Sequence, residues 1–370
     1  MADKPPISLY IHWPFCLSKC PYCDFNSHVR ESYSEPDWQT ALLLELNSAR
    51  ELLGKRKLST IFFGGGTPSL MKASTVESII NKAVDIFEAT NDIEITLEAN
   101  PNSVEVNKFQ NLAIAGVNRI SVGVQSLRQE RLQELGRKHN VKEAIQAIET
   151  ATKIFKRASF DLIYATPGQT LDQWSAELSE ALTFATEHLS LYQLTIEPNT
   201  TFERLHKRGD LVLPVDDLAA DMYELTNKLC AANDLHAYEV SNYAKVGAEC
   251  RHNLNYWRYG EYIGIGPGAH GRLVINGKRL ATKQYRAPER WVQEPNRTEE
   301  SLELTAKEQT QERILMGLRT TEGISWQQPV TTKIHDLIKG GFLVFENHQI
   351  RATPQGRLAL QAVLRYGFMD

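Results

Sequence analysis

Short apolar runs alternate with amphipathic segments over the first 240 residues. The run at 8–12 leads through a loop into a helical pattern at 37–53. The run at 60–63 is followed by a glycine turn and helical periodicity at 75–88, and the run at 93–98 by a helix over 104–115. After 119–124 come helical segments at 129–135 and 142–155, after 158–164 a helix over 171–187, and after 189–195 a loop and a helix over 217–233. Runs this short, bounded by Gly, Pro and Asn, read as strands, and the segments between them repeat apolar residues at helical spacing. Six strand–helix units in series imply right-handed crossovers onto a parallel sheet. Six falls short of the eight of a closed barrel, so the expected fold is α/β, a partial (β/α)6 barrel. Ligands of such sheets gather at the carboxyl ends of the strands.

Beyond residue 239 the rhythm breaks. Residues 241–271 are rich in Gly, Tyr, Asn and His. Helical patterns return at 309–318 and 332–339, followed by GGFLVFENHQIRATPQGRLALQ, which reads as a short hairpin and another helix. The expectation is a barrel domain over 1–240 and a smaller α+β domain over 241–370, its end of the winged-helix kind. That end lacks a concentrated basic face, which argues against a nucleic-acid reading.

The chain has 370 residues, 42% apolar and 23% charged, enough for two hydrophobic cores. A formal charge of -4 gives no long-range attraction to nucleic acid or anionic membrane. The first residues hold no signal-like apolar run, and no apolar stretch reaches bilayer-spanning length. Three of the five cysteines cluster near the start, and Cys230 and Cys250 are scattered, a usage that suits a reducing compartment. A cytoplasmic protein is expected.

The candidate chemistry begins at Cys16, Cys20 and Cys23, a C-x3-C-x2-C spacing directly after the first apolar run. Three thiolates this close can converge on one soft metal centre. A four-iron four-sulfur cluster usually takes four thiolates, so three would leave one iron open to an exchangeable ligand. Trp13, Pro14, Phe15, Pro21, Tyr22 and Phe25 would stiffen the loop and limit water. The alternative is a structural zinc site completed by His12 or His28. The turn Gly64-Gly65-Gly66-Thr67-Pro68 follows the second run, where bare backbone can approach a ligand closely. Glu98 (in EANP) and Gln125 (in GVQS) end the third and fourth runs. Asp161 lies inside the fifth, where a charge needs a partner. Arg137, in GRKH, could pair with Asp161 or with a ligand carboxylate. For Glu98 the other role is helix capping, but Asn100 and Pro101 already supply that signal.

The cysteine stretch resembles the radical S-adenosylmethionine (SAM) superfamily. Members of that superfamily chelate the open iron with the amino and carboxylate groups of SAM. The resemblance implies that Gly65, Gly66 and Thr67 meet the SAM amino group and that Tyr10 lies beside cluster and SAM. Glu98, Gln125, Arg137 and Asp161 would complete the surround. In order along the chain, YIHWPFC, CPYCDFNSH, FFGGGTPS, LEANP, NRISVGVQS and YQLTIEPNT are similar to the oxygen-independent coproporphyrinogen III oxidase family. The oxidases themselves carry a further cysteine where Phe25 stands here, and a longer segment ahead of the loop. His252-Asn253-Leu254-Asn255-Tyr256-Trp257 matches the H-N-x-x-Y-W mark of the other branch, the heme chaperones of HemW type.

That branch implies His252 as an axial heme ligand, with Tyr256 and Trp257 against the porphyrin. The alternative is a buried histidine that orients the linker. His270, in GAHG, is a second candidate. Implied partners are heme, a heme-accepting protein such as a respiratory enzyme, and a second copy of the chain, with cluster and SAM assembling the dimer or gating transfer. The competing reading is a radical enzyme decarboxylating coproporphyrinogen III, and a third is a heme-modifying radical enzyme. Cys250 lies outside any C-x-x-C-H attachment motif. One departure stands out: Ala165 and Thr166 occupy places where relatives carry glycine and leucine, and a tightened SAM pocket is expected from it.

Overall fold

The structure, a computed structural model, describes residues 5–369. All six runs form strands: Ile7–Trp13, Lys57–Gly65, Glu88–Ala99, Arg119–Gln125, Arg157–Tyr164 and His188–Gln193. They pair in parallel and in chain order, each with the next. Between them run helices that include Glu35–Leu53, Ala73–Ile86, Val141–Ile154 and Leu171–Phe184. Two of these start with reciprocal capping boxes, Asn140 with Glu143 and Thr170 with Gln173, which satisfy first-turn amides otherwise left open. The helix expected over 104–115 is two pieces, Ser103–Val106 and Phe109–Ile114. Between them Lys108 turns its ammonium to the carbonyls of Ser69 and Leu70.

The sheet extends beyond these six strands. Tyr262–Ile265 adds a seventh parallel strand beside the first. His270–Ile275, Lys278–Gln284 and Thr298–Glu303 then continue the sheet antiparallel. On the far edge lie Asn242–Ala244 and His236–Ala237, giving twelve strands in an open order whose two edges do not meet. The division expected at residue 240 therefore falls within one sheet. The main hydrophobic core runs from Ile7 to Trp291, and a separate core starts at Ile314. We place the division after the strand Thr298–Glu303. The change of rhythm at residue 239 marks a switch of strand direction rather than the end of a core.

Alternation along the strands separates two environments. Ile7, Leu9, Ile11 and Trp13 of the first strand, and Ile120, Val122 and Val124 of the fourth, join the core under the helices. The intervening positions are largely polar: Ser8, Thr60, Glu94, Thr96, Arg119, Ser121, Ser159, His188 and Ser190 are all buried. The inner face of this barrel is thus lined with hydrogen-bonding groups, where an ordinary eightfold barrel is filled with branched apolar side chains.

The second unit consists of helices Ala306–Gly317 and Thr332–Lys339, a hairpin of Leu343–Glu346 with Gln349–Ala352, and closing helices Pro354–Leu358 and Leu360–Gly367. Ile324–Ser325 adds a third strand to the hairpin. Arg272 and Tyr259 both bond Glu312, and Arg319 bonds Glu239, so polar contacts tie this unit to the barrel. Among the described residues no helix is long and apolar enough to cross a membrane.

Candidate functional site

The cysteine loop leaves the carboxyl end of the first strand and is held at both ends. Phe15–Cys16 pairs in parallel with His28–Val29, and Phe15 stacks on Tyr33 with ring centres 4.2 Å apart. At the far side Pro21 rests on Gly136, where a side chain would come within 2.6 Å of the proline ring. The Pro21 carbonyl accepts from the Phe202 amide at 2.9 Å. Rigid ends leave the three thiols facing one cavity of about 490 Å³. All three are unpaired and half-buried.

Each thiol has a polar neighbour. The Thr67 hydroxyl donates to Cys16 Sγ at 3.4 Å, Arg137 Nη1 donates to Cys20 Sγ at 3.3 Å, and Ser27 Oγ lies 3.8 Å from Cys23 Sγ. Burial pushes the Cys16 thiol up to about 11, against the Thr67 hydrogen bond and the charge of Arg137. The Cys23 thiol is also pushed up by burial. Metal binding displaces thiol protons, and hydrogen bonds to sulfur tune the bound centre. Among the described residues no three His, Cys, Asp or Glu side chains are disposed to hold a single metal ion.

The other wall of the cavity comes from strand ends. Gly65 has φ +108, and a Cβ there would lie 2.6 Å from the His12 ring. A Cβ on Gly66 would lie 2.7 Å from the Phe15 carbonyl. Both glycines are therefore needed for the second strand to close against the first, and the Gly65 amide is turned toward Glu98. Burial, and then the nearby Asp161, push the Glu98 carboxyl up to about 8. Burial raises Asp161 to about 6, although Ser121 donates to it at 3.1 Å. Of the two partners open to Arg137, Asp161 is not taken among the described residues. Arg137 instead bonds Cys20, Asn100 Oδ1 at 2.7 Å and the Gly123 carbonyl at 2.8 Å. Gln125 has φ 72 at a break in strand register, and its amide oxygen is buried with no partner among the described residues. A strained residue with an orphan acceptor, beside two carboxyl groups that have no ion-pair partner among the described residues, suits a cationic ligand bearing N–H or O–H donors.

Asn100 is the residue that sequence reasoning passed over as a capping signal. Its side chain links Arg137 to Thr67, and so joins the contacts at Cys20 and Cys16. The helix cap is Asn102. An asparagine at the very end of a strand, ahead of Pro101, was the available clue.

Tyr10 lies close to Glu98 and lines a neighbouring cavity of about 480 Å³, and its hydroxyl bonds His12 Nδ1 at 3.0 Å. Two expectations change. Ala165 and Thr166 are buried and line neither cavity, so they do not tighten the pocket. What Ala165 costs in place of glycine is backbone strain, at φ 55. His252, expected to offer an imidazole to iron, is 1% exposed inside the barrel. Thr60 Oγ1 lies 2.7 Å from its Nδ1 and Tyr256 OH 2.7 Å from its Nε2, so both ring nitrogens are engaged. The geometry matches the alternative of a buried histidine that holds the linker. His270 is exposed and lines the neighbouring cavity. That cavity shares Phe25, Gly65 and Glu98 with the cysteine cavity.

Comparison with known proteins gives the family and the fold. Residues 10–180 match the radical SAM superfamily, and residues 304–359 match the HemN C-terminal domain. The heme chaperone HemW of Escherichia coli (strain K12) is 43% identical over 296 residues, covering 79% of this chain and 77% of that protein. HemW of Bacillus subtilis (strain 168) is 37% identical over 368 residues, covering 95% and 96%. The mitochondrial radical S-adenosyl methionine domain-containing protein 1 of Danio rerio is 36% identical over 391 residues, covering 98% and 88%. Among solved structures, coproporphyrinogen III oxidase (HemN) from Escherichia coli superposes with a TM-score of 0.82. It covers 99% of this chain and 91% of that one at 20% identity, a likeness of fold.

Proposed function

Since this chain belongs to the HemW family of radical SAM proteins, we propose that it is a heme chaperone, binding heme beside a 4Fe-4S cluster with exchangeable SAM and passing it to an acceptor protein. The observation that carries this reading is the pair of cavities meeting at Gly65, Glu98 and Phe25, one lined by thiols and the other by aromatic and cationic side chains. Two ligands bound there would sense each other through the shared wall.

Cys16, Cys20 and Cys23 are the cluster ligands in this reading. When bound, the cluster supplies an iron with an exchangeable position and a redox change. Thr67, Arg137 and Ser27 hold the sulfurs from outside and draw charge from them. Gly65 and Gly66 offer backbone, Glu98 and Asp161 offer carboxyl groups, and Gln125 offers its free acceptor to SAM. Phe25 is 60% exposed at the rim, where it can cover either ligand. We place the protein in the cytoplasm, with a respiratory enzyme as the kind of acceptor and a second copy of the chain as a further partner.

The test is anaerobic titration of the reconstituted protein with heme, followed by absorbance. Equimolar binding, then loss of heme to an apo heme protein, is expected. A protein that binds no heme but yields protoporphyrinogen from coproporphyrinogen III would belong with the oxidases instead.

A further inference from the structure

Resting on the heme-binding reading above, we propose that the heme iron is ligated by His270 in the cavity beside the barrel mouth, with a propionate on Arg286, and that His252 is a positioning residue acting through Tyr256.

An imidazole binds iron through a nitrogen with a free lone pair and open space ahead of it. His252 has neither: Thr60 and Tyr256 take both nitrogens, and Phe62 stacks on the ring at 4.9 Å. A porphyrin is broad and flat, so its iron cannot reach a nitrogen enclosed on all sides unless the linker leaves the barrel. His12 also lines the cavity, but Tyr10 and the Asn26 carbonyl engage its ring at 3.0 Å each. His270 differs. Among the described residues its ring has no hydrogen-bond partner, and its side chain is exposed to the cavity. Its backbone, by contrast, is fixed in register with Lys283, and its carbonyl passes so close to Gly264 that no side chain fits there. A ring with free nitrogens on an immobile strand start is preorganised for a metal.

The walls suit a tetrapyrrole. Tyr256 and Tyr262 meet edge to face at 4.4 Å, and Trp257 continues the aromatic surface. Three cations line the cavity, and two are already paired: Arg272 with Glu312, and Lys283 with Glu299 and Glu300. Arg286 has no ion-pair partner among the described residues and is exposed at this rim, so it is the cation open to a carboxylate. The Tyr256 hydroxyl is held by His252, which gives the buried histidine a bearing on heme without touching it.

The experiment uses the full chain with its cluster reconstituted and iron content checked in every variant. Heme is the probe, read by absorbance and electron paramagnetic resonance, with iron-free protoporphyrin as a second ligand. In His270→Ala the imidazole-ligated spectrum should vanish and return on adding free imidazole, while the iron-free porphyrin binds as in the parent. His252→Gln should keep the ligated spectrum but weaken both ligands together. Arg286→Ala should weaken both by about fivefold at most, the upper end for an exposed ion pair. A His270→Ala protein with the parent spectrum would overturn the ligand assignment alone. A parent protein that binds no heme would overturn the chaperone reading with it.

Discussion

Glu94 and Glu98 lie four residues apart on one strand, at positions that face the same way, and their surroundings differ completely. Glu94 meets Arg157 at 2.6 Å and accepts the His252 amide at 3.0 Å. Arg157 in turn holds the carbonyls of Ala248 and Glu249, so the linker seals this end of the barrel. Glu98 meets no ion-pair partner among the described residues, and its carboxyl is pushed up by burial and by Asp161. The two histidines repeat the contrast, His252 enclosed at the sealed end and His270 open beside the mouth. Residue type alone therefore does not distinguish function from scaffold in this barrel. What distinguishes them is whether the hydrogen-bonding capacity of a buried group is already satisfied, because an unsatisfied group is costly unless a ligand completes it.

The comparison can be broken at either end. The largest effect is expected from Cys20→Ser, which should abolish retention of cluster iron after anaerobic reconstitution and leave the urea midpoint of the metal-free protein nearly unchanged. If iron is retained in full, Cys20 is no ligand. At the sealed end the effect should be on stability instead. Glu94→Ala strips a buried pair of one partner and should cost about 3–5 kcal/mol in chemical denaturation, with cluster loading preserved in the folded fraction. Equal stability of parent and variant would mean that the seal contributes nothing.

A subtler test concerns charge at the mouth. With its carboxyl at about 8, Glu98 is mostly protonated at neutral pH and must release a proton to face a cation. SAM affinity should therefore rise with pH, by about tenfold per unit below that value, and level off above it. Glu98→Gln should flatten the slope, and a slope that survives would assign the proton elsewhere. Arg137→Met removes the contacts to Cys20 and Asn100, and cluster affinity should fall by about 10- to 100-fold, as for other outer-shell partners of metal ligands. A metal titration checks this. The smallest change is expected from Ala165→Gly, which relieves a left-handed alanine but deletes a buried methyl. It should leave SAM affinity unchanged and shift stability by about 1 kcal/mol or less. A clear gain in SAM affinity would return Ala165 to the pocket.

The six parallel strands and their helices were legible because apolar periodicity is local. So were the cysteine loop and the glycine turn, whose residues stand side by side in the chain. Tyr262–Ile265 was not, because four residues in a glycine-rich stretch carry no rhythm, and their place beside the first strand comes from a partner some 250 residues away. The alternating polar positions within the strands were present in the sequence all along. They pointed to a polar barrel interior, yet each polar residue read alone looked like an interruption.

Sequence alone determined the fold class, the cysteine loop and the family, since each depends on residue type and short spacing. Tertiary structure decided which polar residues were free. The motif histidine at 252 lost its nitrogens to Thr60 and Tyr256, Arg137 turned from Asp161 to Cys20, and His270 kept an open ring. A hydrogen bond between residues far apart in the chain leaves no trace in either one's neighbourhood, so only the folded chain could separate satisfied groups from those still open to a ligand.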